Sequence, residues 1–223
     1  MIKTMEFTSD GYRLIGTLHL PEALPAPMVI GCHGLIADRN SPKQTALAKA
    51  CCRRGIGYFR FDHRGCGDSR REFDQVASLP ERSRDLSDAL RLVRSLDACS
   101  GDLGLFGSSM GGAVCLAVCD TEEVAAVVTF AAPLHSRFSP AGDHPLSSPF
   151  DITGSMHKVK NILVIHGACD EVVPVSHARS LYEHASRPKK MIIQSGGDHR
   201  MSDPGHQSAF IRESVAWFAN VLL

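Results

Sequence analysis

Two stretches near the N-terminus, Ile2 to Ser9 and Tyr12 to Leu20, mix apolar with polar positions and are read as strands. The Asp10-Gly11 pair between them is a strong hairpin signal. The rhythm then changes. Pro27 to Cys32, PMVIGC, is an unbroken apolar run, the pattern of a strand buried on both faces. Pro42 to Arg54 has helical spacing through Leu47, Ala48, Ala50 and Cys51, with Ser41 placed to cap it, Pro42 at its first position and Gly55 to stop it. Ile56 to Phe61 is the next strand. Pro80 to Leu96 is the next helix, with Leu86, Ala89, Leu90, Val93 and Leu96 on one face. Asp102 to Phe106 reads as a strand and Met110 to Cys119 as a helix of small residues. Val124 to Ala131, Ile162 to His166 and Lys190 to Gln194 are further strands, and Ser176 to Ala185 is a helix between the last two. Asp203-Pro204 caps a closing helix that runs to about Leu222 and turns Phe210, Val215, Phe218 and Leu222 inward.

A hairpin followed by strands alternating with helices predicts one α/β domain over residues 1–223, built on a mostly parallel sheet with helices on both faces. One segment breaks the alternation. Pro133 to Lys160 is rich in Pro and Ser and too long for a simple connection, so it is expected to form a short cap or lid, with Phe138, Leu146, Phe150 and Met156 as its packed residues.

Composition narrows the class of partner. Apolar residues make up 43% of the chain, charged residues 22%, and the formal net charge is zero. Such a chain has no electrostatic footprint for nucleic acid or an anionic membrane surface. No apolar run approaches the roughly 20 residues of a membrane span. The opening MIKTMEFTSDGYRLIG lacks the apolar core of a signal peptide. The eight cysteines include no C-x-x-C, and several lie in apolar stretches, which points to a reduced cytoplasmic protein. The eleven histidines are scattered and H-E-x-x-H is absent, so neither a metal nor another cofactor is expected.

The chemistry concentrates at LGLFGSSMGGAVC, Leu103 to Cys115. Gly107-Ser108-Ser109-Met110-Gly111 satisfies G-x-S-x-G only with Ser109 at the centre, because Ser108 would need glycines at positions 106 and 110, which are Phe and Met. The motif follows an apolar strand and opens a helix, the context in which a serine sits on a sharp strand-to-helix turn. Gly112 lets the new helix pack close to the strand. Serine needs a base held by a third group, and in this architecture the acid and then the histidine follow in chain order. VIHGACDEVVP places Asp170 in the loop after one later strand, and IIQSGGDHRMSDP places His199 in the loop after the last. Glu171 is expected to point elsewhere, and Asp198 is too close to His199 in sequence for easy geometry. His166 reads as a buried, hydrogen-bonded core histidine and His206 as solvated. For a developing oxyanion, the N–H of Met110 follows the nucleophile and the N–H of Leu35, just past the strand from Pro27, is the second donor. Cys169 and Cys32 fall close to these loops and are read as inert filler.

His33-Gly34, FDHRGCGDS from Phe61 to Ser69, Gly107 to Gly112, HGACDEVVP from His166 to Pro174, and GGDH ending at His199 together resemble the α/β-hydrolase family over nearly the whole chain. Within it the chain is similar to small bacterial carboxylesterases and to the acyl-peptidase and dienelactone-hydrolase-like group, and HGLIADRN resembles a loop of the cinnamoyl or feruloyl esterases. The resemblance implies an eight-stranded sheet whose second strand is antiparallel to the rest, with Ser109 as nucleophile, His199 as base and Asp170 as orienter. The Asp62-x-Arg64-Gly65-x-Gly67-x-Ser69 block resembles the family's structural turn, which gives Asp62 and Arg64 no direct chemistry.

The expected activity is that of a serine hydrolase, a carboxylesterase acting on small to medium ester substrates through an acyl-enzyme. Peptidase, thioesterase and acyltransferase activities fit the same residues. A non-catalytic ligand-binding protein would not need all three members of the triad.

Overall fold

The computed structural model describes residues 1–73, 75–136 and 148–223. In chain order the elements are β1 (Ile2–Ser9), β2 (Tyr12–His19), β3 (Ala26–Cys32), α1 (Pro42–Arg53), β4 (Gly57–Phe61), α2 (Leu79–Arg94), β5 (Cys99–Ser108), α3 (Met110–Val118), β6 (Ala126–Phe130), β7 (His135–Ser136), β8 (Phe150–Asp151), β9 (Ile162–Gly167), α4 (Ser176–His184), β10 (Lys189–Gln194) and α5 (Pro204–Leu222).

Eight strands form one sheet in the order β1-β2-β4-β3-β5-β6-β9-β10. The hairpin of β1 and β2 closes through Asp10 and Gly11, both at positive φ, and pairs Ser9 with Tyr12. β2 is antiparallel to β1 and to β4, and the remaining pairs are parallel, so the second strand is the reversed one. β7 and β8 form a separate two-stranded ribbon.

Strand alternation divides the core between the two faces. Val29, Phe106 and Val128 pack with Leu47 and Cys51 of α1 and Phe210 and Phe218 of α5. Ile30, Leu105 and Val164 point the other way, against Leu86 and Leu90 of α2, Val114 of α3 and Leu181 of α4. Both faces of the central strands are covered, which is why β3, β4, β6 and β9 are buried along their whole length. From β3 the chain runs to β4 on one side and then to β5 on the other. Loops leaving the carboxyl ends of parallel strands diverge at such a reversal and leave a crevice between them.

The helix ends differ from the sequence reading in detail. Asp203 caps α5 by accepting from the His206 N–H at 2.8 Å. Ser41 gives α1 no side-chain cap bond. α2 starts earlier than its apolar stripe suggests, because Ser78 and Glu81 form a capping box in which the Ser78 N–H donates to Glu81 Oε2 at 2.7 Å. In the segment after β6, Met156 is buried and Phe150 is partly buried against the core. Phe138 and Leu146 lie outside the described residues.

The Asp62 to Ser69 block ties its loop down. Asp62 accepts from the Arg39 N–H at 2.7 Å and the Asp68 N–H at 2.9 Å, and pairs with the Arg39 guanidinium. Arg64 donates from Nε and Nη2 to Asp85 Oδ1 at 2.9 and 2.6 Å. Burial alone would raise the Asp85 carboxyl, but hydrogen bonds and charge from His63 and Arg64 hold it at about 2. That lies below the ordinary 3.8, so the stabilisation is complete above about pH 4 and is lost as the pH falls toward 2. The gap corresponds to about 2 kcal/mol. Asp85→Asn should therefore lower the unfolding free energy near neutral pH, with a deficit that narrows by about 2 kcal/mol between pH 5 and pH 2 in denaturant titrations. A deficit independent of pH would contradict this account.

Candidate active site

Ser109 sits between the end of β5 and the start of α3 with φ 54° and ψ −125°, a conformation that disfavours any residue with a Cβ. Its N–H donates to the Phe130 carbonyl at 2.8 Å, which pins the turn to β6. The flanking glycines answer to close approach. A Cβ on Gly107 would lie 2.3 Å from the Gly111 oxygen, and one on Gly111 would lie 2.3 Å from the Cys32 oxygen. Both obstacles are backbone, so side chains at either position would force β3, β5 and α3 apart.

The strained turn aims Ser109 Oγ at His199. The Oγ–Nε2 distance is 3.1 Å. His199 Nδ1 lies 3.0 and 2.9 Å from Asp170 Oδ1 and Oδ2. A carboxylate only accepts, so the ring proton is on Nδ1 and Nε2 is left to accept from the serine hydroxyl. Asp170 itself is fixed by the N–H groups of Val172 and Val173, which donate to Oδ1 at 2.9 and 2.7 Å. His166, fully buried, places Nε2 2.8 Å from the Val173 carbonyl and 3.3 Å from Asp170 Oδ2. Burial would push the Asp170 carboxyl up, but the two histidines and the two backbone N–H groups outweigh it and hold the group below the ordinary carboxylate range. It stays ionised, as an acceptor for His199 must.

The loop after β3 is organised by His33. The His63 N–H donates to His33 Nε2 at 3.2 Å, so the proton is on Nδ1, which donates to the Gly34 carbonyl at 2.8 Å. Burial, with His63 and Arg82 nearby, keeps this imidazole well below its ordinary pKa and therefore neutral. Fixing the Gly34 carbonyl fixes the same peptide's N–H, that of Leu35, in the opposite direction. The Leu35 carbonyl is held in turn by Arg82 Nη2 at 3.0 Å. Met110 opens α3, where the first N–H groups have no partner within the helix. A cavity of about 380 Å³ is lined by Leu35, Ser109 and Met110 and by His135, Phe150 and His177.

Every residue singled out in sequence can now be placed. Ser109, His199 and Asp170 meet in one hydrogen-bonded chain, and Leu35 and Met110 flank Ser109. Glu171 does not point away from the site as expected: its Oε2 accepts from the His199 N–H at 3.1 Å. Asp198 is turned to Ser202, accepting from its N–H at 2.8 Å. His206 is not solvated but half-buried, its Nδ1 turned toward the capping carboxylate of Asp203 at 4.0 Å. Cys32 is buried beneath the loop and Cys169 is exposed. Among the described residues, no group of His, Cys, Asp and Glu could hold a metal ion. Three contacts were missed: Arg82 on Leu35, His166 on Asp170 and His177 at the cavity. Arg82 had a signal, since it interrupts the apolar face of α2 between Leu79 and Leu86 and is fully buried. His166 and His177 had none beyond their residue type.

The chain matches the family described as serine aminopeptidase, S33, over residues 24–145, and it belongs to that family of hydrolases within the α/β-hydrolase superfamily. The match runs from the connection before β3 past Ser109 and stops short of Asp170 and His199. The uncharacterized protein YfhR of Escherichia coli K12 is 32% identical over 213 residues, covering 88% of this chain and 73% of YfhR. An esterase domain from Rhodothermus marinus superposes with a TM-score of 0.77 at 23% identity, covering all of both chains. A dienelactone hydrolase from Anabaena variabilis gives 0.80 at 19% identity, covering 100% of this chain and 99% of its own. These two likenesses establish the α/β-hydrolase fold. Among the described residues, no helix is long and apolar enough to cross a membrane.

Proposed function

We propose that this hydrolase cleaves carboxylic esters of small to medium acyl groups through an acyl-enzyme on Ser109. The carrying observation is the unbroken chain from Ser109 Oγ through His199 to the ionised Asp170, beside a cavity. Ser109 Oγ attacks the ester carbonyl as its proton passes to His199 Nε2. Asp170 holds the ring in the required tautomer and stabilises the imidazolium. The N–H groups of Leu35 and Met110 donate to the oxyanion of the tetrahedral intermediate. The collapse breaks the ester C–O bond, and His199 delivers the proton to the leaving alkoxide. Water then attacks the acyl-enzyme by the same route, giving the free acid and restoring Ser109. No residue outside this set is needed for the steps, and no cofactor enters them.

Further parts of the reading rest on the same geometry. On the one α/β domain, the described residues 133–136 and 148–160 support the reading of a short cap, with His135 and Phe150 at the cavity and Met156 in the core. Eight free thiols, among them the buried Cys32, Cys51 and Cys115, support a reducing, cytoplasmic setting.

Labelling with a fluorophosphonate, followed by peptide mapping, tests the nucleophile. Modification confined to Ser109 in the folded chain is the expected result, and its absence would favour a ligand-binding protein on the same fold. A panel of p-nitrophenyl esters beside aminoacyl p-nitroanilides tests the bond type. The family description names a peptidase, so faster turnover of the anilides would replace the ester reading with an amide one.

A further inference from the structure

The cavity beside Ser109 carries a polar group that the triad does not use. His177, near the start of α4, is half-buried, and its Nδ1 accepts from the Leu134 N–H at 3.0 Å. A backbone N–H can only donate, so the imidazole carries its proton on Nε2. The ring rests against His135, with centroids 4.4 Å apart, and both rings line the cavity. Among the described residues, nothing accepts from His177 Nε2. Burial, with His135 and His166 nearby, holds this imidazole below its ordinary pKa, so it stays a neutral N–H donor. The cavity that His177 lines is walled largely by apolar residues, among them Phe150, Val173 and Pro133, with Ser136 and His135 as further polar members.

The position of the cavity decides which part of an ester reaches it. The leaving group must lie at His199 Nε2, which protonates it. Among the described residues, Leu35, Ser109 and Met110 line this cavity and His199 does not. With both oxyanion donors in its wall beside Ser109, the cavity is assigned the acyl chain. This step rests on the serine-hydrolase reading above.

We propose that His177 reads the acyl chain, donating from Nε2 to a neutral carbonyl oxygen carried further along it, so that the preferred substrates are oxoacyl esters. A plain alkyl chain would desolvate the donor and leave it unpaired, whereas a chain with a carbonyl at the right depth satisfies it. A carboxylate is the poorer ligand, since among the described residues no Lys or Arg lines the pocket and burying an unpaired charge is costly.

Matched ester pairs provide the test: p-nitrophenyl 4-oxopentanoate against pentanoate, and 5-oxohexanoate against hexanoate. The readout is the ratio of kcat/KM within each pair, so a general loss of activity in a variant cancels. The wild-type chain should favour the oxo ester by about 10-fold in at least one pair. His177→Asn places an oxygen near the position of Nδ1, keeping an acceptor for Leu134, but has nothing at Nε2; its ratio should fall to about one. His177→Gln carries an N–H near the position of Nε2 and should retain part of the preference. A wild-type ratio near one in both pairs, or a preference that survives His177→Asn, overturns the inference. If Ser109→Ala still hydrolyses pentanoate, the serine-hydrolase reading itself has failed. If turnover needs Ser109 but the ratios are flat, only the role of His177 has failed.

Discussion

Ser109→Ala should lower kcat for p-nitrophenyl butyrate by about 10⁵-fold or more, leaving a residue of catalysis from the oxyanion donors and binding alone. The loss is large because the nucleophile and its base act as a unit: without Oγ, His199 has no hydroxyl to deprotonate. The fold should survive. Alanine keeps the Cβ already accommodated at φ 54°, and the backbone bond from residue 109 to Phe130 remains. An unchanged melting temperature beside lost turnover is therefore the expected pair of results. Substantial turnover in a folded Ser109→Ala chain would move the nucleophile elsewhere and remove the acyl-enzyme from the mechanism.

Asp170→Asn should cost about 10⁴-fold in kcat, through the tautomer of His199. The amide of an asparagine has one oxygen and one NH2. Val172 and Val173 both donate to the Oδ1 position, so the oxygen is held there. The NH2 then falls where Oδ2 stood, facing His199 Nδ1 and the His166 Nε2–H. Two donors cannot share that contact, and Oδ1, 3.0 Å from the same Nδ1, already accepts from two backbone N–H groups. His199 adopts the tautomer protonated on Nε2, which cannot take the serine proton. Asp198→Asn and Glu171→Gln are the controls. Asp198 is engaged with Ser202, and among the described residues Glu171 meets only the backbone of His199, so each should cost less than about 10-fold by the usual size of a partly exposed contact. A larger loss at Asp198 than at Asp170 would reassign the acid.

The order of elements was legible in the chain because hydrophobic periodicity and turn chemistry are local. The unbroken apolar runs of β3 and β9 announce strands covered on both sides, and Asp10-Gly11 announces the hairpin. The elbow was legible for the same reason: glycine at 107 and 111 answers a steric demand that the motif itself creates. Even the start of α2 was written in Ser78 and Glu81, although its apolar stripe alone points to a later residue. The direction of β2 came with the family resemblance and not from spacing, since strand polarity depends on which neighbour a strand finds.

The sequence by itself determined the candidate residues and the loops that carry them. Chain order, strand ends and glycine spacing are enough to put Ser109, Asp170 and His199 on one edge of a parallel sheet. The sequence already favoured Asp170 over its neighbour Glu171; only the tertiary structure decided where Glu171 goes, because the two side chains diverge and both reach His199, Asp170 at Nδ1 and Glu171 at the backbone N–H. It also decided what holds the machinery still. Arg82 on the Leu35 carbonyl, His166 on Asp170 and His177 on the Leu134 N–H join segments far apart in sequence. Such contacts depend on the packing of whole elements and leave no periodic trace in the chain.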